Sequence, residues 1–346
     1  MNTVLKPSEL VEVLEFAIKS KITMMIKGAP GIGKTHIVNQ ACKKTNNNMI
    51  HIDAAICSQT DLMGYPMYNQ DTDTASFVPY GHLLEMITAT EPTIVFLDDF
   101  GLATPSVQGS IMHLLSERRI GHRHISDNVT FILATNDQKQ HAGVNMILEP
   151  VKSRCQTIVT LQPDLDDWTK WAFKNNVHPA VIGFVRLRPE MLWDFDPTNN
   201  LVNSPSPRTN VHVSNWMKSK LPENVLYAAI EGAAGSAYAL EFAGYRKLAE
   251  SIVSPDYVIE NPEEVDIPTD RSVLFALTTA LAYRANKENL SNIIKFARRI
   301  SEYRDGKFME IGVGFVEYNI MAMDEELKNT SEYIKWAVDF QEYLKN

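Results

Sequence analysis

Gly28-Ala29-Pro30-Gly31-Ile32-Gly33-Lys34-Thr35 stands directly behind an apolar run that begins at Ile22 and directly ahead of a helical pattern led by Lys34. The eight residues fit G-x-x-x-x-G-K-[ST], and a strand before with a helix behind is the setting in which that pattern holds phosphate. On average composition the fixed positions would match by chance in roughly 1% of chains this long, before the setting is required. Each residue type has a physical task. Glycines let backbone N–H groups close around phosphate oxygens, and the helix N-terminus adds its positive end. Lys34 neutralises the outer phosphates, and Thr35 offers a hydroxyl to Mg²⁺. The expected ligand is a nucleoside triphosphate, taken as Mg-ATP. Its expected contacts are Gly28, Ala29, Pro30, Gly31, Ile32, Gly33, Lys34, Thr35 and the adjoining His36.

Outward from this loop, the first half of the chain alternates short apolar runs with helical patterns. Strands are expected from Ile22, Met49, Thr93, Val129 and Gln156, and amphipathic stretches are led by Ser8, Lys34, Ser106 and Asp164. That alternation predicts an α/β fold, a parallel five-stranded sheet covered by helices. The third strand ends Ile94-Val-Phe-Leu97-Asp98-Asp99. Two carboxylates behind four apolar residues are costly to bury without a cation. Asp98 is therefore a candidate for holding Mg²⁺ with Thr35, and Asp99 for orienting or deprotonating an attacking water.

Past Leu161 the strand pattern stops and the sequence reads as helices. A Pro/Asn/Ser-rich stretch from Asp194 to Pro207 interrupts them, and the segment from Ser254 to Asp270 reads as a connector. From Asn210 onward four or five more helices are expected. The expected domains are 1–162, 163–250 and 251–346, the last two helical.

Bulk properties narrow the classes. The chain has 346 residues, 45% of them hydrophobic and 22% charged, which suffices for a sizeable core. A net charge of -9 argues against broad binding to nucleic acid or anionic membranes. The N-terminal stretch carries charges among its apolar positions, unlike a secretory signal, and no later run approaches the length of a membrane span. A cytoplasmic protein is expected. Cys42, Cys57 and Cys155 are odd in number and widely spaced, which fits reduced thiols better than a disulfide framework.

The order of these pieces resembles the AAA+ ATPases, and within them the MoxR-like, dynein-related branch that carries an insert in its second helix. The segment from Gln59 to Pro66 is similar to the lead into that insert, and the residues behind it read as a hairpin with Asp71 to Thr74 at its tip. Arg119 to Asn128 resembles the hairpin before sensor 1; within it His122, Arg123 and His124 alternate in direction, as in a solvated hairpin. Ala134-Thr135-Asn136 is similar to sensor 1, which makes Asn136 a candidate for positioning water. Leu148 to Arg154 resembles the arginine-finger segment. The resemblance implies that Arg154 enters a neighbour's ATP site and stabilises the transferring phosphoryl group, with Arg118 and Arg119 as competitors. Ser204 to Thr209 resembles the sensor-2 segment, which implies that Arg208 couples nucleotide state, of its own subunit or of a neighbour, to the orientation of a helical lid over 163–250. Trp168, Trp171 and Phe173 sit at helical spacing and read as lid core.

One departure stands out: the family usually has glutamate where this chain has Asp99, whose carboxylate reaches about 1.5 Å less far. Slow hydrolysis is the expected consequence. The resemblance implies a homo-oligomeric ring, a hexamer, that couples ATP hydrolysis to remodelling a protein partner, with a von Willebrand factor A domain protein as the implied partner class. A nucleic-acid motor or loader, and an ATP-responsive scaffold with weak hydrolysis, are the alternatives.

Overall fold

The computed structural model describes residues 4–71, 73–136, 146–194, 202–249, 252–320 and 325–344. The chain divides into two compact units, Met1–Gln162 and Pro163–Asn346.

The first unit is built on β1 (Val4–Leu5), α1 (Pro7–Lys19), β2 (Met24–Lys27), α2 (Lys34–Lys44), β3 (Asn48–Asp53), α3 (Gln59–Met63), β4 (Tyr65–Asn69), β5 (Thr74–Val78) and α4 (His82–Thr88). It continues with β6 (Thr93–Asp98), α5 (Pro105–Glu117), β7 (Arg119–Ile120), β8 (Arg123–His124), β9 (Val129–Thr135), α6 (Glu149–Lys152) and β10 (Thr157–Leu161). The sheet order is β1-β10-β2-β9-β6-β3, with every pairing parallel. The central strands are buried on both faces, which is why they read as unbroken apolar runs. Met25, Val95, Leu97, Phe131 and Leu133 point into one core with Leu83 and Met86 of α4 and Val107, Ile111 and Leu114 of α5. Their alternates Ile94, Phe96 and Ile132 are equally buried, on the opposite face by the period of two.

The sheet has the five expected strands and a sixth. Two residues, Val4 and Leu5, pair with Thr160 and Leu161 of β10. So short a strand shows no alternation, and Pro7 opens a helix immediately behind it. Both expected hairpins are present. In β4 and β5 every residue is exposed. Thr72, at the expected tip, lies outside the described residues.

The second unit is helical: α7 (Leu165–Lys174), α8 (Pro179–Leu187), α9 (Pro207–Met217), α10 (Glu223–Ala234), α11 (Ser236–Ala249), α12 (Pro255–Glu260), α13 (Arg271–Ala282), α14 (Leu290–Glu302), α15 (Met309–Gly314) and α16 (Ser331–Asp339), with shorter turns between them. The run from Leu221 to Tyr245 forms two helices, broken at Gly235, whose φ of 94° closes α10. The expected connector carries α12, opened by Pro255 at its first turn. Position 250 falls outside the described residues, and side chains from both sides of it share one hydrophobic core. Trp168 and Phe173 are buried in that core, and Trp171 packs against it.

Candidate functional site

The carboxyl ends of three neighbouring strands converge on one site in the first unit. The phosphate loop leaves β2, Asn136 follows β9, and Asp98 closes β6. Ligands of open α/β sheets gather at such ends. Register enforces the meeting, because Lys27 pairs with Thr135 and Leu97 with Leu133.

Local backbone chemistry shapes the loop. Gly33 caps α2 with φ 100°, a left-handed value that a side chain would strain. A Cβ on Gly28 would lie 2.6 Å from Ile32 Cδ1 and 3.0 Å from the Leu161 carbonyl oxygen, so any larger residue there would push on the loop and on the end of the last strand. α2 then begins at Lys34, which puts its N-terminal turn at the loop. His36, in its first turn, is exposed. Partial burial of its ring and Lys43 hold its pKa below the ordinary histidine value.

Two hydrogen-bonded lines cross the site. In one, the Lys34 ammonium, on a residue only 7% exposed, donates to the carbonyls of Gly28 and Ala29 at 2.9 Å and to Asn136 Oδ1 at 2.7 Å. The Asn136 amide in turn reaches Asp99 Oδ1 at 3.4 Å. In the other, Thr35 Oγ1 donates to Asp98 Oδ2 at 2.5 Å, and Asp98 Oδ1 accepts from the Asp99 backbone N–H at 2.9 Å. Asp99 adopts φ 47° and ψ 34°, which turns the chain directly behind β6. Five residues expected from sequence, Lys34, Thr35, Asp98, Asp99 and Asn136, are thereby brought together. The oxygen donors of Thr35 and Asp98 are the hard-ligand chemistry that Mg²⁺ takes, so the donor set fits that ion.

The expected arginines take part in none of these described hydrogen bonds. Arg154 donates to Ser116 Oγ at the end of α5 and to the Pro150 carbonyl. Among the described hydrogen bonds, none joins it to Lys34, Asp98, Asp99 or Asn136. Arg118 is structural: its guanidinium donates to the carbonyls of Ser126 and Val129 and lies over the Phe131 ring. Arg119 is exposed and pairs with Glu117 at 3.4 Å. Arg208 is an exposed residue in the first turn of α9, in the second unit. His122, Arg123 and His124 are exposed on the β7–β8 hairpin, and no group of three or more metal-ligating side chains occurs among the described residues.

One site neighbour escaped the sequence reading. His51 Nε2 on β3 lies 3.4 Å from Asp98 Oδ2. The only signal was a polar residue in an alternating strand, which is common and points nowhere without the register.

Residues 23–155 match the AAA domain (dynein-related subfamily). No curated protein matches the sequence. Among solved structures, a single-substitution variant of RuvB from Thermotoga maritima is similar at 13% identity and a TM-score of 0.40, covering 83% of this chain and 83% of its own. NtrX from Brucella abortus in complex with ADP is similar at 14% identity and a TM-score of 0.37, covering 93% of this chain and 67% of its own. Scores this low make them weak likenesses. No helix among the described residues is long and apolar enough to cross a membrane.

Proposed function

From the match of residues 23–155 to the AAA domain (dynein-related subfamily), we infer that this chain is a ring-forming, MoxR-like ATPase. It couples Mg-ATP binding and hydrolysis to remodelling or assembly of a protein partner. The observation that carries the ATPase chemistry is the pair of hydrogen-bonded lines, Lys34–Asn136–Asp99 and Thr35–Asp98, at one end of the sheet. The loop N–H groups and the Lys34 ammonium hold the phosphates and offset their charge. Thr35 and Asp98 hold Mg²⁺, which supplies further charge neutralisation at the phosphate oxygens. Asn136 and Asp99 face a common point from adjacent strand ends, where one orients water and the other accepts its proton. Asp99, one methylene shorter than glutamate, makes that proton transfer slow.

In the proposed hexameric ring Arg154 completes the site from a neighbouring subunit, and Arg208 couples nucleotide state to the helical unit. The partner class implied is a protein with a von Willebrand factor A domain, met in the cytoplasm. The deciding experiment measures ATP turnover in Mg²⁺ against protein concentration. Specific activity is expected to rise as the ring assembles, and Lys34→Ala to lower it about a hundredfold or more. Turnover independent of concentration rejects the ring-dependent site. Tight ATP binding with no turnover favours a nucleotide-ordered scaffold. The exposed Arg119 and Arg123 on the β7–β8 hairpin favour a second reading, a nucleic-acid motor. That reading requires a salt-dependent DNA affinity that Arg123→Ala weakens.

A further inference from the structure

Asp98 receives more support than its own loop provides. Its Oδ1 is fixed by the next backbone N–H and its Oδ2 by Thr35. A third polar contact comes from a different strand. β3 lies at the edge of the sheet and pairs with β6 in the register His51↔Phe96 and Asp53↔Asp98. Alternation therefore puts His51 and Asp53 on the same face as Phe96 and Asp98. The imidazole of His51 lies against the Phe96 ring, centroids 5.4 Å apart at 31° between planes. The aromatic contact restrains the ring, and its Nε2 then stands 3.4 Å from Asp98 Oδ2. Asp98 is well shielded, its side chain 15% exposed, while His51 is 45% exposed. The more exposed histidine thus stands beside a shielded carboxylate.

We propose that His51 is a positioning residue for Asp98: lodged against Phe96, it holds Oδ2 beside Thr35 so that the pair is preorganised for the divalent cation accompanying the nucleotide. Carboxylates that ligate metals are themselves oriented by outer hydrogen-bond partners, whose loss costs roughly 10- to 100-fold in metal affinity. His51 is half-exposed and its contact long, so the lower end of that range applies. The effect belongs to Mg²⁺ coupling and not to nucleotide binding as such, because His51 touches neither the phosphate loop nor Lys34 among the described contacts. The inference rests on the proposed Mg-ATP site.

The test is binding of a fluorescent ATP analogue to the full chain, titrated with Mg²⁺ from an EDTA-treated start. His51→Ala is expected to need about tenfold more Mg²⁺ for half-maximal enhancement, with its affinity in EDTA unchanged. His51→Gln, whose side-chain amide reaches the same region, is expected to restore most of the loss. A His51→Ala protein with the wild-type Mg²⁺ midpoint overturns the proposal. So does one that loses affinity equally with and without Mg²⁺, or one that His51→Gln fails to rescue while remaining folded by circular dichroism. If the wild type binds no nucleotide in Mg²⁺, the parent reading falls and takes this inference with it. If the wild type binds and only the His51 variants behave as wild type, the inference alone fails.

Discussion

At the scale of single residues, Asp99 is where local backbone and chemistry meet. Its left-handed φ of 47° is a conformation that Asp and Asn tolerate better than longer side chains. The turn behind β6 thus gives a physical reason for aspartate where glutamate is usual. Asp99→Asn keeps that preference and removes the proposed base, so turnover is expected to fall about 100- to 10,000-fold while ATP affinity holds. A steady-state assay beside a binding titration checks it. Asp99→Glu extends the carboxylate by about 1.5 Å and is expected to raise turnover; unchanged or lower turnover shows that reach is not limiting. Such residues were legible because Gly28 to Thr35, Asp98, Asp99 and Asn136 each lie in a contiguous motif. His51 was not, because its importance depends on which residue of β6 it pairs beside.

At the scale of elements, close packing in the helical unit exposes two dependencies. Gly183 of α8 faces Tyr245 of α11 and Thr279 of α13, and a Cβ there would overlap the Tyr245 hydroxyl. That hydroxyl is buried and has no hydrogen-bond partner among the described residues. Gly183→Ala is expected to destabilise by about 1–3 kcal/mol through overpacking. Tyr245→Phe removes the obstructing oxygen at little cost, and in that background Gly183→Ala should be far milder; chemical denaturation of the four proteins decides. The start of α8 is expected to respond to pH. His178 caps it, Nδ1 accepting from the Ala180 N–H at 3.2 Å, and burial, then Lys218 and Arg246, lower its pKa from the ordinary 6.5. The unfolded chain therefore binds the proton more readily, so this stability is full above about pH 6.5 and is lost as pH falls through the depressed folded value. His178→Asn keeps a capping oxygen and is expected to flatten Tm between about pH 7.5 and 5 relative to wild type; an unaltered slope places the sensitivity elsewhere. The strands with several buried residues were readable from pattern. β1 was not, since two residues carry no period, and α12 was masked by the polar composition around its Pro255 start.

At the scale of the whole molecule, the remaining piece of the proposed ATPase site is the arginine. Arg154 bonds Ser116 and the Pro150 carbonyl within its own unit, and no described hydrogen bond joins it to Lys34, Asp98, Asp99 or Asn136. Sequence order alone marked Arg154 by resemblance, but no single-chain pattern encodes what a residue touches across a subunit boundary. In a ring built from head-to-tail interfaces each site is shared by two subunits. Arg154→Ala is then expected to assemble normally and lose about a thousandfold or more in turnover, the scale of arginine-finger loss. The sharing itself is tested by mixing two inactive proteins, Lys34→Ala and Arg154→Ala. In mixed rings a junction joining the intact loop of an Arg154→Ala subunit to the intact arginine of a Lys34→Ala neighbour is complete, and random mixing makes about one junction in four of that kind. Turnover recovered on mixing, growing with the time allowed for subunit exchange, is the expected result. If each protein assembles with the other and the mixture stays inactive, Arg154 does not serve a neighbour's site, and the chain must complete its chemistry within one subunit.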